Sequence, residues 1–330
     1  MNTVGAKEIL ELSRNFMESR ILLSAAEMDL FSLLSSTPLT AKEVAARTQG
    51  DPRALTVLLN ALAAMELLTK EQEKFFCPPS VSVFLSAKSP DSVLPMVLHA
   101  AHLWRRWSGL TPLVQGAPGP KNSDPSSREP EELEAFIGAM HTIAAPLAPR
   151  IVKAIRPESS RALLDVGGAS GTYTIAFLQA VPEMKATLFD RPPVVEMARK
   201  RLKKAGLLGR VTLVAGDFYT DELPGNPDLA FISAIIHQNS PEQNLDLFSK
   251  VFRSLRGGGR IVIRDHIMDP SRTRPRSGAL FAVNMLLATS GGNTYTFAET
   301  EASLTQAGFV GIRLIQSGEQ MDGLVEAYKP

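Results

Sequence analysis

The sequence predicts an α/β fold with a mostly parallel sheet, preceded by a helical domain. From about residue 160, short apolar stretches typical of strands, such as "RALLDVGG", "KATLFD" and "RVTLVAGD", alternate with segments of helical pattern. Such alternation implies parallel strands with helices on both faces of the sheet. The first third of the chain differs, because in "ILLSAAEMDLFSLLSS" the apolar residues recur at helical spacing.

Length and composition are those of an ordinary globular chain of about two domains. Of the 330 residues, 44% are hydrophobic and 21% are charged, which allows a large core. The formal net charge of +1 argues against broad binding of nucleic acid or of an anionic membrane. A single cysteine, Cys77, excludes an internal disulfide and a multi-cysteine metal site, and no metal is expected.

The first residues, "MNTVGAKEILELSR", mix charges early and lack the apolar core of a signal peptide. No stretch of the chain approaches the roughly 18 consecutive apolar residues that a membrane-spanning helix needs. The sequence therefore predicts a cytoplasmic protein without a membrane partner.

The N-terminal domain shows a winged-helix pattern. Thr40 and Glu43 form a capping box that opens one helix. Asp51 followed by Pro52 opens the next helix, with proline at the first helical position. The segment "TKEQEKFFCPPS" after it predicts a short hairpin, which completes the order helix, turn, helix, hairpin.

We place the domain boundary at residues 115 and 116. Ser89-Pro90 predicts the start of another helix in the first domain, residues 1–115. Residues 116–130, "GAPGPKNSDPSSREP", are a loop by composition, and a helical run follows. Within the second domain, residues 116–330, we expect a helical linker over 116–158 and an α/β core over 159–330.

The segment "LLDVGGASGTYT" predicts a ligand-binding turn. A strand ends at Asp165, glycines follow at positions 167, 168 and 171, and a helix begins near Thr172. Glycines let the backbone turn tightly and let a ligand approach it closely. The carboxyl end of the first strand is where open α/β sheets bind nucleotides, but the spacing is not G-x-G-x-x-G, which disfavours a dinucleotide.

Two more predicted strands end in acids. Asp190 ends "KATLFD", where it can accept hydrogen bonds from ribose hydroxyls, and Asp217 ends "VTLVAGD", where it can reach an adenine edge. Phe218 can pack on the adenine ring. Because neighbouring acids repel a pyrophosphate, the pattern favours a nucleoside-bearing ligand without phosphates. The alternative is that the glycines only make a turn and the acids cap helices.

Taken together, these residues resemble a known family: the S-adenosylmethionine (SAM)-dependent small-molecule O-methyltransferases of the plant caffeate, bacterial antibiotic and acetylserotonin type. The resemblance covers nearly the whole chain. The motifs that carry it are the winged-helix region, "LLDVGGASG", "LFDRP", "GDF", "IIHQNSPEQ", "GGGRIVIRD", "VNMLLATSGG" and "FAETEASLTQAGF".

The resemblance implies a class I methyltransferase fold, Rossmann-like, with an antiparallel last strand at "GLVEAYK". It also implies an α-helical winged-helix dimerisation domain that forms a homodimer. The residues expected to contact SAM, from which S-adenosylhomocysteine is the product, are Gly167 and Gly168 at the loop, Asp190 at the ribose, Asp217 and Phe218 at the adenine, and Ser233, where plant members carry lysine.

For catalysis, the resemblance places His237 on the family's general base and Asp265 on the acid that orients it. The next residues are Gln238 and Asn239 rather than Asp and Trp, and Thr294 stands where the family carries a second Glu. An imidazole, with an ordinary pKa of about 6.5, can take the proton of a positioned phenol. The alternative is that His237 only marks the end of a strand before the next helix.

The acceptor side is less well defined by the sequence. Trp107 fits a pocket or domain-interface role, Asn284 is a polar residue among apolar neighbours, and the family pocket segments fall on the remaining candidates, Phe136, Met140, His141 and Met285. Core packing explains Phe136 and Met140 about as well. His266 follows Asp265, and we expect it to point the opposite way on a strand.

The sequence thus predicts O-methylation of a small hydroxylated aromatic compound of secondary metabolism. A family member that methylates carbon or nitrogen, or that uses bound SAM without methyl transfer, remains an alternative because of Gln238, Asn239 and Thr294. A third alternative is a SAM-sensing winged-helix regulator that binds DNA. Its second helix, however, carries one basic residue, Arg53, where a recognition helix needs several contacts.

Overall fold

The computed structural model describes residues 4–120 and 130–330, the side chains of 130–132 excepted. It divides into two units, Met1–Arg105 and Arg106–Pro330. The division falls ten residues before the boundary proposed from the sequence. Most of the loop predicted over residues 116–130 lies outside the described residues.

The first unit is mainly helical, as predicted. Its helices are α1 (Ala6–Arg14), α2 (Phe16–Glu27), α3 (Leu30–Leu34), α4 (Ala41–Thr48), α5 (Pro52–Ala64), α6 (Pro79–Leu85) and α7 (Leu94–Trp107), the last of which runs two residues into the second unit. Its strands are β1 (Leu39–Thr40), β2 (Thr69–Glu71) and β3 (Lys74–Phe76).

The winged-helix order of this unit is confirmed. The Thr40 hydroxyl accepts the Glu43 backbone N–H, and the Glu43 carboxylate accepts that of Thr40 at 2.7 Å, so the capping box begins α4. Strands β2 and β3 form the antiparallel hairpin. The helix predicted to start at Ser89-Pro90 instead begins at Leu94, and the carbonyl of Val93 accepts its first hydrogen bonds, from the N–H groups of Met96 and Val97.

The second unit is an α/β sandwich. Its strands are β4 (Ala162–Val166), β5 (Lys185–Asp190), β6 (Val211–Ala215), β7 (Leu229–Ser233), β8 (Arg260–Asp265), β9 (Ile267–Met268), β10 (Tyr295–Thr296), β11 (Val310–Gln316) and β12 (Gly323–Tyr328). Its helices are α8 (Leu110–Val114), α9 (Pro130–Ala144), α10 (Ala148–Ile155), α11 (Thr172–Ala180), α12 (Pro192–Lys204), α13 (Pro241–Ser254), α14 (Arg276–Ala288) and α15 (Phe297–Gln306).

Over the described residues the main sheet has seven strands in the order β11-β12-β8-β7-β4-β5-β6. Strands β8, β7, β4, β5 and β6 are parallel, whereas β12 runs antiparallel to both β8 and β11. The prediction of an antiparallel last strand at "GLVEAYK" is therefore confirmed.

The sheet is buried on both faces, because alternate residues of each strand enter different clusters. In β7, Ala230 and Ile232 pack with residues of α13 and α15, whereas Leu229 and Phe231 pack with residues of α10 and α11. Burial on both faces explains the nearly continuous apolar run of this strand. The arrangement leaves the carboxyl edge of the sheet as the place where polar side chains can meet.

No single helix among the described residues is long and apolar enough to cross a membrane. Helices α9 and α10 reach the length and the apolar composition of a membrane-spanning helix only when they are counted together, and a bend of 61° separates them.

Candidate active site

The glycine turn between β4 and α11 is shaped so that no side chain fits at its start. Gly167 has a φ of +66°, and a Cβ on it would lie 2.7 Å from Ile235 Cδ1. A Cβ on Gly168 would lie 2.7 Å from Leu188 Cγ and 3.0 Å from Asp165 Cγ. The backbone is therefore bare at the carboxyl end of the first parallel strand, where a ligand can approach it.

Asp165 lies under this turn. It is buried one residue before the end of β4 and accepts a 2.5 Å hydrogen bond from the Thr174 hydroxyl. Burial raises the pKa of Asp165 to about 7, although the bond from Thr174 acts in the opposite direction. Its role is to tie the turn to α11.

Asp190 ends β5, as predicted, and its carboxylate points back to the glycine turn. Oδ2 accepts the Ala169 N–H at 2.8 Å, and Oδ1 accepts the Arg191 N–H at 2.7 Å. Burial raises the pKa of Asp190 to about 6. Each carboxylate oxygen keeps a second lone pair, so the group can still accept hydrogen bonds from a pair of hydroxyls.

Asp217 lies two residues beyond the end of β6, not at the strand end that the sequence predicted. Its Oδ1 accepts the Tyr219 N–H at 2.9 Å, and its Oδ2 pairs with the Arg191 guanidinium. The next residue, Phe218, is half-buried, and its Cε1 would lie 3.8 Å from a Cβ on Gly167. Asp190, Asp217 and Phe218 thus surround the same turn.

Ser233 ends β7 next to the turn. Its hydroxyl accepts a hydrogen bond from Arg264 Nη1 at 3.1 Å. Arg264 is the cross-strand partner of Ser233 on β8. Where plant members carry a lysine at position 233, this chain therefore has a cationic side chain on the neighbouring strand instead.

His237 and Asp265 meet at the carboxyl edge of β7 and β8. His237 Nδ1 lies 2.9 Å from both oxygens of the Asp265 carboxylate, and both side chains are buried. Oδ1 also accepts the His266 backbone N–H at 2.7 Å. Burial pushes the pKa of Asp265 upwards, but the charge and hydrogen bond of His237 outweigh it and hold that pKa below its ordinary value. An ionised carboxylate only accepts, so Nδ1 carries a proton, and in the neutral form of the imidazole the lone pair is on Nε2.

A buried network holds the turn that carries His237, and the sequence did not reveal it. Asn239 is fully buried: its side chain accepts from Tyr219 Oη at 2.6 Å and donates to Asn244 Oδ1 at 3.0 Å. Asn244 donates to the carbonyl of Ile236, and Tyr295 Oη donates to that of Asn239 at 2.5 Å. The amides of "HQNSPEQN" were the available signal, because such residues require partners when buried.

The predicted acceptor residues lie in three places. Trp107 Nε1 donates to Asn284 Oδ1 at 3.3 Å, which brings two of them together, and Met285 beside Asn284 is buried. Phe136, a residue of α9, packs against a buried cluster that includes Val194 of α12. Ala169 of the glycine turn packs against the same cluster. Met140, on the same helix, is half-buried.

His141 lies beside the glycine turn. Its Nδ1 is 2.8 Å from the hydroxyl of Thr172, the first residue of α11. Burial, followed by the charge of Arg201, lowers the pKa of His141 to about 4, so it is neutral at physiological pH.

Thr294 and His266 adjoin the catalytic pair. Thr294 is buried, and its carbonyl accepts from Arg272 Nη1 at 2.9 Å. The expectation that His266 points the opposite way from Asp265 presumed that both residues lie on one strand. His266 lies between β8 and β9, outside the regular alternation, and both imidazoles contact the ring of Phe281.

The sequence predicts that the protein holds no metal. Among the described residues no group of three His, Cys, Asp or Glu side chains is arranged to hold a metal ion.

Comparison with known proteins agrees with this geometry. Residues 116–310 match the O-methyltransferase domain and residues 10–86 match the O-methyltransferase dimerisation domain. The tetracenomycin polyketide synthesis 8-O-methyl transferase TcmO of Streptomyces glaucescens is 30% identical over 315 residues, covering 94% of this chain and 93% of the relative. The N,N-dimethyltransferase OxyT of Streptomyces rimosus is 27% identical over 329 residues, covering 97% and 94%.

Among solved structures, human N-acetylserotonin methyltransferase in complex with SAM superposes with a TM-score of 0.85 at 22% identity. The match covers 100% of this chain and 99% of that one, and it confirms the class I fold. The chain therefore belongs to the O-methyltransferase family and is a SAM-dependent methyltransferase with a dimerisation domain.

Proposed function

We propose that this chain methylates a hydroxyl of a small, largely planar aromatic acceptor, with His237 as general base and Asp265 as its orienting acid. One observation carries the proposal. The buried carboxylate of Asp265 holds Nδ1 of His237 at 2.9 Å through both oxygens, which leaves Nε2 as the basic nitrogen.

The residues around the glycine turn fit SAM. The bare backbone at Gly167 and Gly168 admits close approach, the Asp190 carboxylate has free lone pairs for ribose hydroxyls, and Phe218 offers an aromatic face near the turn. We assign Asp217 to the adenine edge and Ser233 to the amino-acid side. When bound, SAM supplies an electrophilic methyl group on a sulfonium centre.

The chain's own contribution is proton removal and positioning. A phenol has a pKa of about 10, so it needs a base at or before attack, and Nε2 of His237 can take that proton. Such a base contributes roughly 10² to 10⁴-fold in rate. Asp265 fixes the tautomer beforehand and stabilises the imidazolium that forms, as an orienting acid does in a catalytic triad.

The acceptor class rests on the lining residues and on the relatives. To the acceptor we assign aromatic and flexible apolar side chains, namely Trp107, Phe136, Met140 and Met285, and as polar contacts the Asn284 amide and the His141 imidazole. Pockets of this composition suit planar apolar ligands with few polar groups. TcmO, by its name, methylates an oxygen in polyketide synthesis, and we extend this to a hydroxylated aromatic secondary metabolite here.

Assembly and location complete the proposal. The dimerisation domain supports a homodimer, which we propose forms mainly through the N-terminal domain of residues 1–115. The cytoplasmic location stays a prediction from the sequence.

A second candidate is transfer to nitrogen, since OxyT is named as an N,N-dimethyltransferase. The discriminating experiment incubates the protein with labelled SAM and matched pairs of aromatic phenols and anilines. Label on phenols supports the proposal, whereas label confined to the amines contradicts O-methylation.

The catalytic roles are tested by His237→Gln and Asp265→Asn. We expect each to lower kcat by about 10² to 10⁴-fold, because base and tautomer control are lost. SAM affinity by calorimetry should stay within about twofold, since neither side chain is assigned to the cofactor. Asp269→Asn removes a nearby carboxylate outside the site and serves as the control. Full activity of His237→Gln would exclude it as the base.

A further inference from the structure

The ring of Phe281 contacts both imidazoles near the catalytic acid. Phe281 is half-buried in α14, and its centroid is 4.8 Å from that of His237 at an interplanar angle of 86°. The centroid of the His266 ring is 5.2 Å from that of Phe281, at an interplanar angle of 43°. The first geometry is an edge-to-face pair, a favoured aromatic arrangement.

The position of Phe281 is fixed by the way α14 meets the end of β8. Gly278, one turn earlier on the helix, is buried, and a Cβ there would lie 2.5 Å from Met268 Sδ and 3.4 Å from His266 Nδ1. The helix therefore approaches the strand edge too closely for any side chain at that point. Met285, one turn after Phe281, is buried as well. Buried residues thus fix α14 one turn before and one turn after Phe281.

His237 needs a second restraint because Asp265 holds it at one ring atom. Both carboxylate oxygens contact Nδ1, so the carboxylate sets the tautomer but leaves the imidazole free to tilt about that contact. A tilt moves Nε2, the atom that must face the acceptor, and small displacements from the reactive geometry are costly in rate. Phe281 packs against the face or edge of the same ring and opposes such a tilt.

His266 supports the phenyl ring without adding charge. It is buried, and its Nδ1 has no hydrogen-bond partner in the part of the chain that the structure describes. Burial lowers the pKa of His266 to about 4, so a neutral imidazole backs Phe281 over the physiological pH range. His266 therefore adds no positive charge beside His237.

We propose that Phe281 is a positioning residue, which keeps the His237 imidazole in the orientation that base catalysis requires and shields its Nδ1–H···Asp265 bond from water. The proposal rests on the proposed function of His237. It assigns to Phe281 an effect on the reaction step rather than on acceptor or SAM affinity.

The kinetic test uses Phe281→Leu and Phe281→Tyr. We expect Phe281→Leu to lower kcat about threefold to tenfold, in line with the modest strength of one aromatic pair. KM for the acceptor and Kd for SAM should change less than twofold. Phe281→Tyr keeps the ring and should keep kcat. If Phe281→Leu instead raises KM alone, the residue is only a pocket wall and the proposal fails.

The matched control is Phe252→Leu. Phe252 of α13 is also half-buried and forms an edge-to-face pair, with Phe309 at 5.2 Å and 89°, away from the site. The Phe252→Leu variant therefore measures how much stability the fold loses when one such aromatic pair is removed. We expect Phe252→Leu to lower Tm about as much as Phe281→Leu while leaving kcat unchanged. An equal loss of kcat in both variants would overturn the positioning role.

A second readout is independent of turnover. The protein is labelled with ¹⁵N-histidine, and of the signals of its five histidines, those that disappear in His237→Gln belong to His237. We expect a solvent-protected Nδ1–H in the wild type, in Phe281→Tyr and in Phe252→Leu, and its loss to exchange in Phe281→Leu. An unchanged signal in Phe281→Leu refutes the proposal. Because no acceptor is present, absence of methyl transfer would contradict the proposed function without affecting this result.

Discussion

His237 shows how one carboxylate can decide the chemistry of a neighbouring ring. Asp265 is buried, but the hydrogen bond from His237 and the backbone N–H of His266 keep it ionised. The pair was accessible from the sequence through the family resemblance, which places His237 on the general base and Asp265 on the acid that orients it. Phe281 was not, since a phenylalanine in an apolar helix is usually core. Its role depends on the approach of α14 to the strand ends, which no local pattern encodes.

At Asp190, burial leads to a testable dependence on pH. Its pKa is raised to about 6, so the carboxylate is ionised above that pH and protonated below it. If the ionised form accepts hydrogen bonds from the ribose, SAM binding weakens as the pH falls from 8 to 5. We expect Kd to rise about tenfold at pH 5, one unit below the pKa, as measured by calorimetry.

The control for this prediction must separate Asp190 from Asp165, whose pKa burial raises to about 7. Asp190→Asn should bind SAM more weakly at pH 8, and its Kd should change little with pH. Asp165→Asn should still show the rise in Kd near pH 6. His141 does not titrate in this window, because its pKa is about 4. A Kd in the wild type that is flat from pH 8 to 5 would show that Asp190 is not the ribose acceptor.

At the level of elements, apolar patterns and caps located most strands and helices, whereas their ends depended on tertiary contacts. Strand β6 ends at Ala215 with a last hydrogen bond from the Gly216 N–H to the carbonyl of Asp190, and Asp217 lies beyond the strand. The loop after α14 also contacts the turn that carries the catalytic base, His237. A Cβ on Gly292, between α14 and β10, would lie 2.5 Å from the His237 carbonyl oxygen and 3.0 Å from that of Gln238.

Gly292→Ala should therefore disturb the turn that carries His237. We expect a loss of about 1–3 kcal/mol in the free energy of unfolding, the usual range for overpacking, because the added methyl meets backbone that cannot rotate away. The kcat should fall as well, because the His237 carbonyl is displaced. Denaturant titration and steady-state kinetics measure both effects.

Gly209→Ala is the comparison, since a Cβ there meets nothing within 4 Å. It should change stability by less than about 0.5 kcal/mol. Equal behaviour of the two alanine variants would mean that the loop of Gly292 moves freely and does not constrain His237.

At the scale of the whole molecule, the two units bury their cores separately, one around Phe31 and Phe75 and the other on both faces of the sheet. The first unit nevertheless leaves apolar surface uncovered. None of the residues of α1 is buried, and Ile9 and Leu12, which are three apart on one face of the helix, are 56% and 66% exposed. Contiguous exposed apolar surface marks interaction sites, and Leu12 falls within the match to the dimerisation domain, residues 10–86.

We therefore predict that Ile9→Glu combined with Leu12→Glu separates the homodimer. Each substitution would place an unpaired charge in an apolar contact, which is strongly unfavourable, while in the monomer both positions face solvent. Light scattering should give twice the chain mass of 35.7 kDa for the wild type and the single chain mass for the variant. Val114→Glu, at an apolar residue 71% exposed in the second unit, should remain dimeric. A double variant that keeps the dimer mass would place the interface elsewhere, because two buried carboxylates cannot be tolerated at the centre of an apolar contact.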